Sequence, residues 1–464
     1  MRRNCCQTRH QWTRRINTAE DATDIQAQQE AVEFTSRLIQ FDTQNAGDNR
    51  ARETEAAQWV ADRLAEVGIR STLVDSAPGR TNLIADIPGE NPDLPVLLIH
   101  GHLDTVPARL EDWSVDPLGG DIHPDVDGVE CVWGRGAIDM KDMVGMSLAA
   151  LRAVLRSGGK PHRSVRFILF ADEEAGGFKG SEWIAQHHPE WFDHVGAIIS
   201  ETGGFGGYVD GRRVYYVQAG EKGTQWFRLN AQGTQSHGSQ INRDNAVVKI
   251  AKAAARIADY SWPADAGQVG QLLVNRLQDI VRQEEGRQAK YDTAALIDRT
   301  GPAKPWVASS VRNTFNVTSI DADSTVNIVP AKASALIDGR ALPGQEDTLL
   351  GRLRELAGSE VSVEKIHRSR GYVTDVHGEL FTAIERTLSQ VDPDAVVVPF
   401  LSSGGTDSKA VLKINPDIEV CGFIPLRVPQ GFDVIGNFHG VDEHVPVDAL
   451  KFGQDVLQRL IVTF

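Results

Sequence analysis

Three short apolar runs constrain this chain more than any other feature: Leu94 to His100 (LPVLLIH), Val165 to Ala171 (VRFILFA) and Val195 to Ser200 (VGAIIS). Runs with so little polar alternation suit strands covered on both faces. Helical apolar spacing precedes or separates them, over Glu30 to Phe41, Glu55 to Val67 and Val144 to Leu155. Strands alternating with helices predict an α/β fold around a mixed, mostly parallel sheet. The first run is expected to stop at Gly101.

The texture changes near Gly220. Trp226 to Ala231, Asn313 to Ile320, Lys332 to Ile337 and Val361 to Ile366 read as strands with one solvated face, and Asn245 to Tyr260 as an Ala-rich helix. Between them, Trp262 to Pro305 is polar and Pro/Gly-punctuated, with a helical stretch around Gln271 to Arg287. The α/β texture returns after Gly371, with helices at Gly378 to Gln390 and Val447 to Thr463. The expected organisation is therefore a basic arm over 1–26, a body built from 27–220 and 371–464, and an α+β insert over 221–370.

A chain of 464 residues has room for more than one domain. Its net charge of -15 argues against nucleic-acid binding, which needs clustered Lys and Arg. No apolar run reaches the roughly 18–20 residues that span a bilayer, so no membrane partner is expected. The start, MRRNCCQTRHQWTRR, is basic without an apolar signal-peptide centre and reads as a disordered arm. None of Cys5, Cys6, Cys131 and Cys421 forms a C-x-x-C pair, and a reducing cytoplasm is the expected compartment.

Functional groups in open α/β sheets sit beyond the carboxyl ends of strands. The first run leads into His102-Leu-Asp104, the second into Asp172-Glu173-Glu174 and the third into Glu201. One histidine after a strand is more often structural; three runs ending in ligand-type residues point to a metal centre. Asp104 stands two residues beyond His102, so its carboxylate can accept the second ring N–H and fix the tautomer, or it can simply form a turn. Asp139, in Gly134-Arg-Gly-Ala-Ile-Asp139-Met-Lys141, lies at a helix entry and reads equally as a helix cap or as a ligand. Glu173 and Glu174 are either an acidic turn or a base beside a ligand. His439, in a Gly-flanked loop (NFHGVDE), is a weak signal by itself.

Taken together, HLDTVP, GRGAIDMK, DEE, SHGS, GGTDS and FHGVDE resemble the metallohydrolases that include acetylornithine deacetylase, succinyl-diaminopimelate desuccinylase, aminoacylase and glutamate carboxypeptidase. The similarity runs from about residue 30 to the C-terminus. The resemblance implies two zinc ions, with cobalt or manganese as substitutes. His102 and Glu201 would hold one, Glu174 and His439 the other, and Asp139 would bridge them. Asp104 would orient His102, and Glu173 would be the general base. His237 would polarise the scissile carbonyl, Asn327 and Arg340 would hold a substrate carboxylate, and Gly404 and Gly405 would line the pocket. The insert would be a lid and a dimer contact, although the extra stretch Trp262 to Pro305 departs from shorter lids. The implied reaction is hydrolysis of an amide or peptide bond in an N-acyl amino acid or short peptide by a homodimer. The alternatives are a non-catalytic binding relative, against which Glu173 argues, and an aminopeptidase of a related di-zinc fold.

Overall fold

A computed structural model describes residues 24–464 apart from 49, 266, 287, 323 and 324. Most of the basic arm, with Cys5 and Cys6, and the residue Arg287 of one expected helix lie outside the described residues. Asp24 to Gln26, assigned to the arm, instead open the first described helix: the Asp24 carboxylate accepts the Ala27 amide and caps Ile25–Ile39.

A ten-stranded mixed sheet forms the larger body. Its centre is parallel: Val165–Phe170, Val96–His102, Val195–Ser200 and Glu419–Gly422 lie side by side. Antiparallel strands flank them, with Arg80–Ile87 and Ser71–Ala77 at one edge. The apolar runs are explained by their two covered faces. Leu97, Ile99, Phe167, Leu169, Ala197 and Ile199 face one core, packed with the helices Ile25–Ile39, Lys141–Arg156 and Val447–Thr463. Leu98, Ile168, Phe170 and Ile198 face the other, beneath Ser181–His187 and Ser408–Leu412. Alternate residues point to opposite faces, so both sets must be apolar.

The first run does not stop at Gly101. The strand is Val96–His102, and Gly101 pairs with Leu169 inside the ladder. A Cβ at Gly101 would lie 2.9 Å from the Met140 methyl, so the glycine serves side-chain packing here rather than a turn. His102 thus leaves the sheet as its last residue, at the carboxyl end.

A four-stranded antiparallel sheet forms the smaller body, in the order Thr314–Asp321, Lys332–Ala341, Gly223–Gln232, Val361–Arg368. Helices Ala246–Ala258 and Glu346–Ala357 cover one face with their own apolar cluster. Lys332–Ala341 alternates buried and half-buried residues, as a sheet with one covered face requires. Only the start of the extra stretch joins this body, where Trp262 packs on Phe315 at 5.4 Å between ring centroids. Val269, Leu273, Leu277, Ile280 and Val281 of the helix Gly267–Glu285, with Val307 and Val311 beyond it, pack with Val397, Phe400 and Tyr216 in the large core. Burial of that apolar stripe against the strand Val396–Ser402, not chain order, decides where the segment sits. No helix among the described residues is long and apolar enough to cross a membrane.

Candidate active site

The carboxyl ends of the central strands open into a cleft of about 1600 Å³ between the two bodies. His102 ends one strand, Glu201 follows the next, and Glu173 and Glu174 sit in a short turn after the third. Asp139 comes from the loop before the helix Lys141–Arg156, and His439 from a late loop in which its backbone is left-handed, at φ 58°.

These residues meet around two imidazoles. His102 Nε2 lies 3.1 Å from Asp139 Oδ1 and 3.1 Å from Glu201 Oε2. His439 Nε2 lies 3.1 Å from Asp139 Oδ2 and 3.2 Å from Glu174 Oε2. Asp139 therefore gives one oxygen to each histidine. One ring nitrogen can donate only one proton, yet two carboxylates converge on each. Glu201 Oε1 is buried with no hydrogen-bond partner. Three carboxylates against two imidazoles is a donor set that fits divalent cations bound by N and O ligands.

The electrostatics carry the same imbalance. Burial, against the pull of His102, pushes Glu201 up to about 7. Burial first and the Glu201 charge second raise Glu173 well above the usual carboxylate range. Burial alone would lower His102, but the Glu201 charge and the Asp139 contact outweigh it and hold the ring well above its usual range. Hydrogen bonds to Asp139 and Glu174 raise His439 to about 10. Bound cations would take the place of the protons these groups otherwise hold.

Asp104 acts differently from the expectation that its carboxylate orients His102. His102 Nδ1 faces the Asp104 backbone carbonyl at 2.8 Å, with the nearer carboxylate oxygen at 3.6 Å. The carboxylate accepts the Glu173 amide and the Glu174 amide, each at 3.1 Å, and the Asn45 side-chain amide at 2.8 Å. Main chain and side chain of one residue thus fix the histidine tautomer and the glutamate turn. In that turn Asp172 is a strut: Arg80 and Asn45 donate to it, and Arg80 also pairs with Glu53 at 2.8 Å. Glu174 turns toward Asp139 and His439 and accepts the Val106 amide at 3.2 Å. Glu173 groups with His102 and Glu201, all within 4.8 Å.

Arg340, Gly404 and Gly405 line the cleft. The guanidinium of Arg340 is already engaged, donating to both oxygens of Asp338 at 2.7 and 3.0 Å and to the Ser403 carbonyl at 2.8 Å. His237 and Asn327 do not line the cleft within this chain. Both are exposed: His237 pairs with Ile328 in a two-stranded ribbon, and Asn327 stands in the turn just before that ribbon's second strand.

Sequence reasoning assigned no role to Glu443. Its buried carboxylate accepts the amides of Ile138 at 2.6 Å, Asp139 at 3.1 Å and Gly136 at 3.1 Å, and pairs with Arg135 at 2.6 Å. It ties the Asp139 loop to the chain that carries His439. The signal was its place in NFHGVDE, but its partners are backbone groups, which no motif displays. His100, two residues before His102, is a core histidine: its Nε2 meets Ser408 Oγ at 2.8 Å, and burial pushes it down to about 3.

The family model described as Peptidase family M20/M25/M40 matches residues 98–463. Aminoacylase-1 of Sus scrofa is 28 % identical over 288 residues, which cover 62 % of this chain and 60 % of that protein. Aminoacylase-1 of Mus musculus is 25 % identical over 414 residues, 88 % of this chain and 89 % of that one. Among solved structures, an M20 family metallo-carboxypeptidase from Sulfolobus solfataricus superposes with a TM-score of 0.65 at 18 % identity, covering 93 % of this chain and 99 % of that one. At that identity the likeness speaks to the fold.

Proposed function

The chain belongs to peptidase family M20/M25/M40, and we propose that the bond it hydrolyses lies next to a free carboxylate in an N-acyl amino acid or short peptide. It is a metal-dependent hydrolase of amide or peptide bonds. The observation that carries the proposed site is the sharing of Asp139 between His102 and His439, each of which meets a further carboxylate.

In this reading His102 and Glu201 would hold one ion, Glu174 and His439 the other, and Asp139 both. Zinc suits the set, and cobalt or manganese can substitute. Such ions acidify a water and draw electron density from the scissile carbonyl. Glu173 takes the proton of the attacking water and hands it to the departing amine; it stands beside His102 and Glu201, and burial raises its affinity for a proton, as a base requires. Arg340 receives the substrate carboxylate on the cleft wall in exchange for Asp338, since its Nη1 already donates to the Ser403 carbonyl and to Thr224 Oγ1. Gly404 and Gly405 leave that wall low.

His237 and Asn327 complete the site from a second copy of the chain. Three apolar side chains on the same ribbon region, Ile241, Val326 and Ile328, are exposed, which suits burial in a homodimer. Cys131 and Cys421 are free thiols, in keeping with a cytoplasmic enzyme. Initial rates on N-acetyl amino acids, N-succinyl amino acids and dipeptides, each beside its C-terminal amide, test the reading. Turnover of the acids well above the amides supports it; equal turnover refutes the carboxylate requirement.

A further inference from the structure

A small three-stranded sheet stands apart from the residues of the cleft. It pairs Glu130–Trp133 with Ile122–Pro124 on one side and His444–Pro446 on the other. The register sets Cys131 opposite both His123 and Pro446, and His444 opposite Trp133. Asp125 opens the hairpin turn between the first two strands. As a result a carboxylate oxygen of Asp125, the Cys131 sulfur and a ring nitrogen of His444 lie within 4.8 Å of one another.

Each group is held by the protein. Asp125 Oδ1 accepts the amides of Asp127 and Val129, both at 2.9 Å, so neither bond occupies Oδ2. Cys131 is wholly buried, and its thiol donates to the Val129 carbonyl at 3.3 Å, toward that turn. His444 Nδ1 faces the Asp442 carbonyl at 2.7 Å, which commits its proton and leaves the lone pair on Nε2. The ring stacks on Trp133 at 4.1 Å and meets Phe432 edge-on at 5.3 Å. A carbonyl on the far ring nitrogen is the usual support of a metal-ligating histidine. Cysteine sulfur, imidazole nitrogen and carboxylate oxygen are the three ligand types zinc accepts.

We propose that Cys131, His444 and Asp125 form a further cation site, separate from the cleft, for a zinc-class divalent ion with water in the open position. Binding exchanges the thiol proton for the metal–sulfur bond; the proton leaves to solvent and nothing is oxidised. The His444 amide donates to Asn437 Oδ1 at 2.9 Å, so an ion here also braces the loop that presents His439.

The cleft ligands carry no sulfur, so a thiolate-to-cobalt absorption band reads this site alone. The other thiols are controlled: Cys421 is buried within the large sheet, and Cys5 and Cys6 are both changed to Ser in the background chain. Cobalt added to that full-length, metal-stripped chain is expected to produce the band, and zinc to abolish it. Cys131→Ser should remove the band and one ion per chain by elemental analysis. Asp125→Asn and His444→Gln should weaken cobalt binding, and Asp125→Asn, at a hairpin turn, serves if the cysteine variant does not fold. No band in the Cys5/Cys6-free chain, or a band unchanged in the Asp125 and His444 variants, overturns the site. The readout does not use catalysis, so it stands or falls separately from the amide-hydrolysis reading.

Discussion

Glu443 Oε1 accepts the backbone amide of Asp139 at 3.1 Å, across 304 residues of sequence. The same carboxylate takes two more amides of that loop and the Arg135 guanidinium. Asp139 is the residue proposed to face both ions, so Glu443 sets where it points. Glu443→Gln keeps the shape but turns one acceptor oxygen into a donor facing amides or a guanidinium. Metal affinity, read by competition with a chelator, is expected to fall roughly 10–100-fold, the range for residues that support a ligand. Wild-type affinity in a folded Glu443→Gln chain would make the carboxylate a packing element only.

Adjacent Glu173 and Glu174 face different partners, and their variants should differ in kind. Glu173→Gln is expected to keep the cleft metals and lose at least ~10²-fold in kcat, the lower range for a general base. Glu174→Gln is expected to lose the ion on the His439 side. Elemental analysis beside initial rates checks both, and equal metal loss in the two variants would contradict the division of roles.

Much of this arrangement could be read from sequence because its causes are local. The run VGAIIS is apolar throughout because Ala197 and Ile199 face one core while Ile198 faces the other. The groups following such strands emerge at one end of the sheet, and there the structure gathers His102, Glu174 and Glu201 with Asp139 and His439. What stayed illegible depends on contacts between distant chain segments. Glu443 acts through main-chain amides. The helix Gly267–Glu285 has an amphipathic pattern that any apolar surface could satisfy, and it chose the large core. Asp338 and Arg340, two apart on one strand, share a face, and that spacing alone could have shown that the arginine has a partner.

The linkage between metal and protons has a definite sign. Without cations, burial raises Glu201 from 4.5 to about 7. The folded chain then keeps a proton that the unfolded chain releases, so this group's contribution falls as pH rises from about 4.5 to about 7. A cation relieves that loss by taking the proton's place. The gain in Tm on adding zinc should therefore widen between about pH 5.5 and 7.5, measured by thermal melts of stripped and loaded protein. A gain independent of pH would contradict protonation of the empty centre.

Arg340 offers a planar fork that lysine cannot copy. Arg340→Lys is expected to raise KM for an N-acyl amino acid by roughly tenfold or more, the size of a lost charged hydrogen bond. The matching amide should change little. If acid and amide shift together, Arg340 is a strut between Asp338 and the Ser403 carbonyl rather than a clamp.

The most direct test of the central claim is metal-dependent turnover of an N-acyl amino acid. The chain is stripped with a chelator, assayed, reloaded with zinc and assayed again, beside Asp139→Asn treated in the same way. The account predicts no turnover when stripped, full return on reloading, and no return in Asp139→Asn. Hydrolysis by the stripped chain at the reloaded rate, or full return in Asp139→Asn, would contradict it.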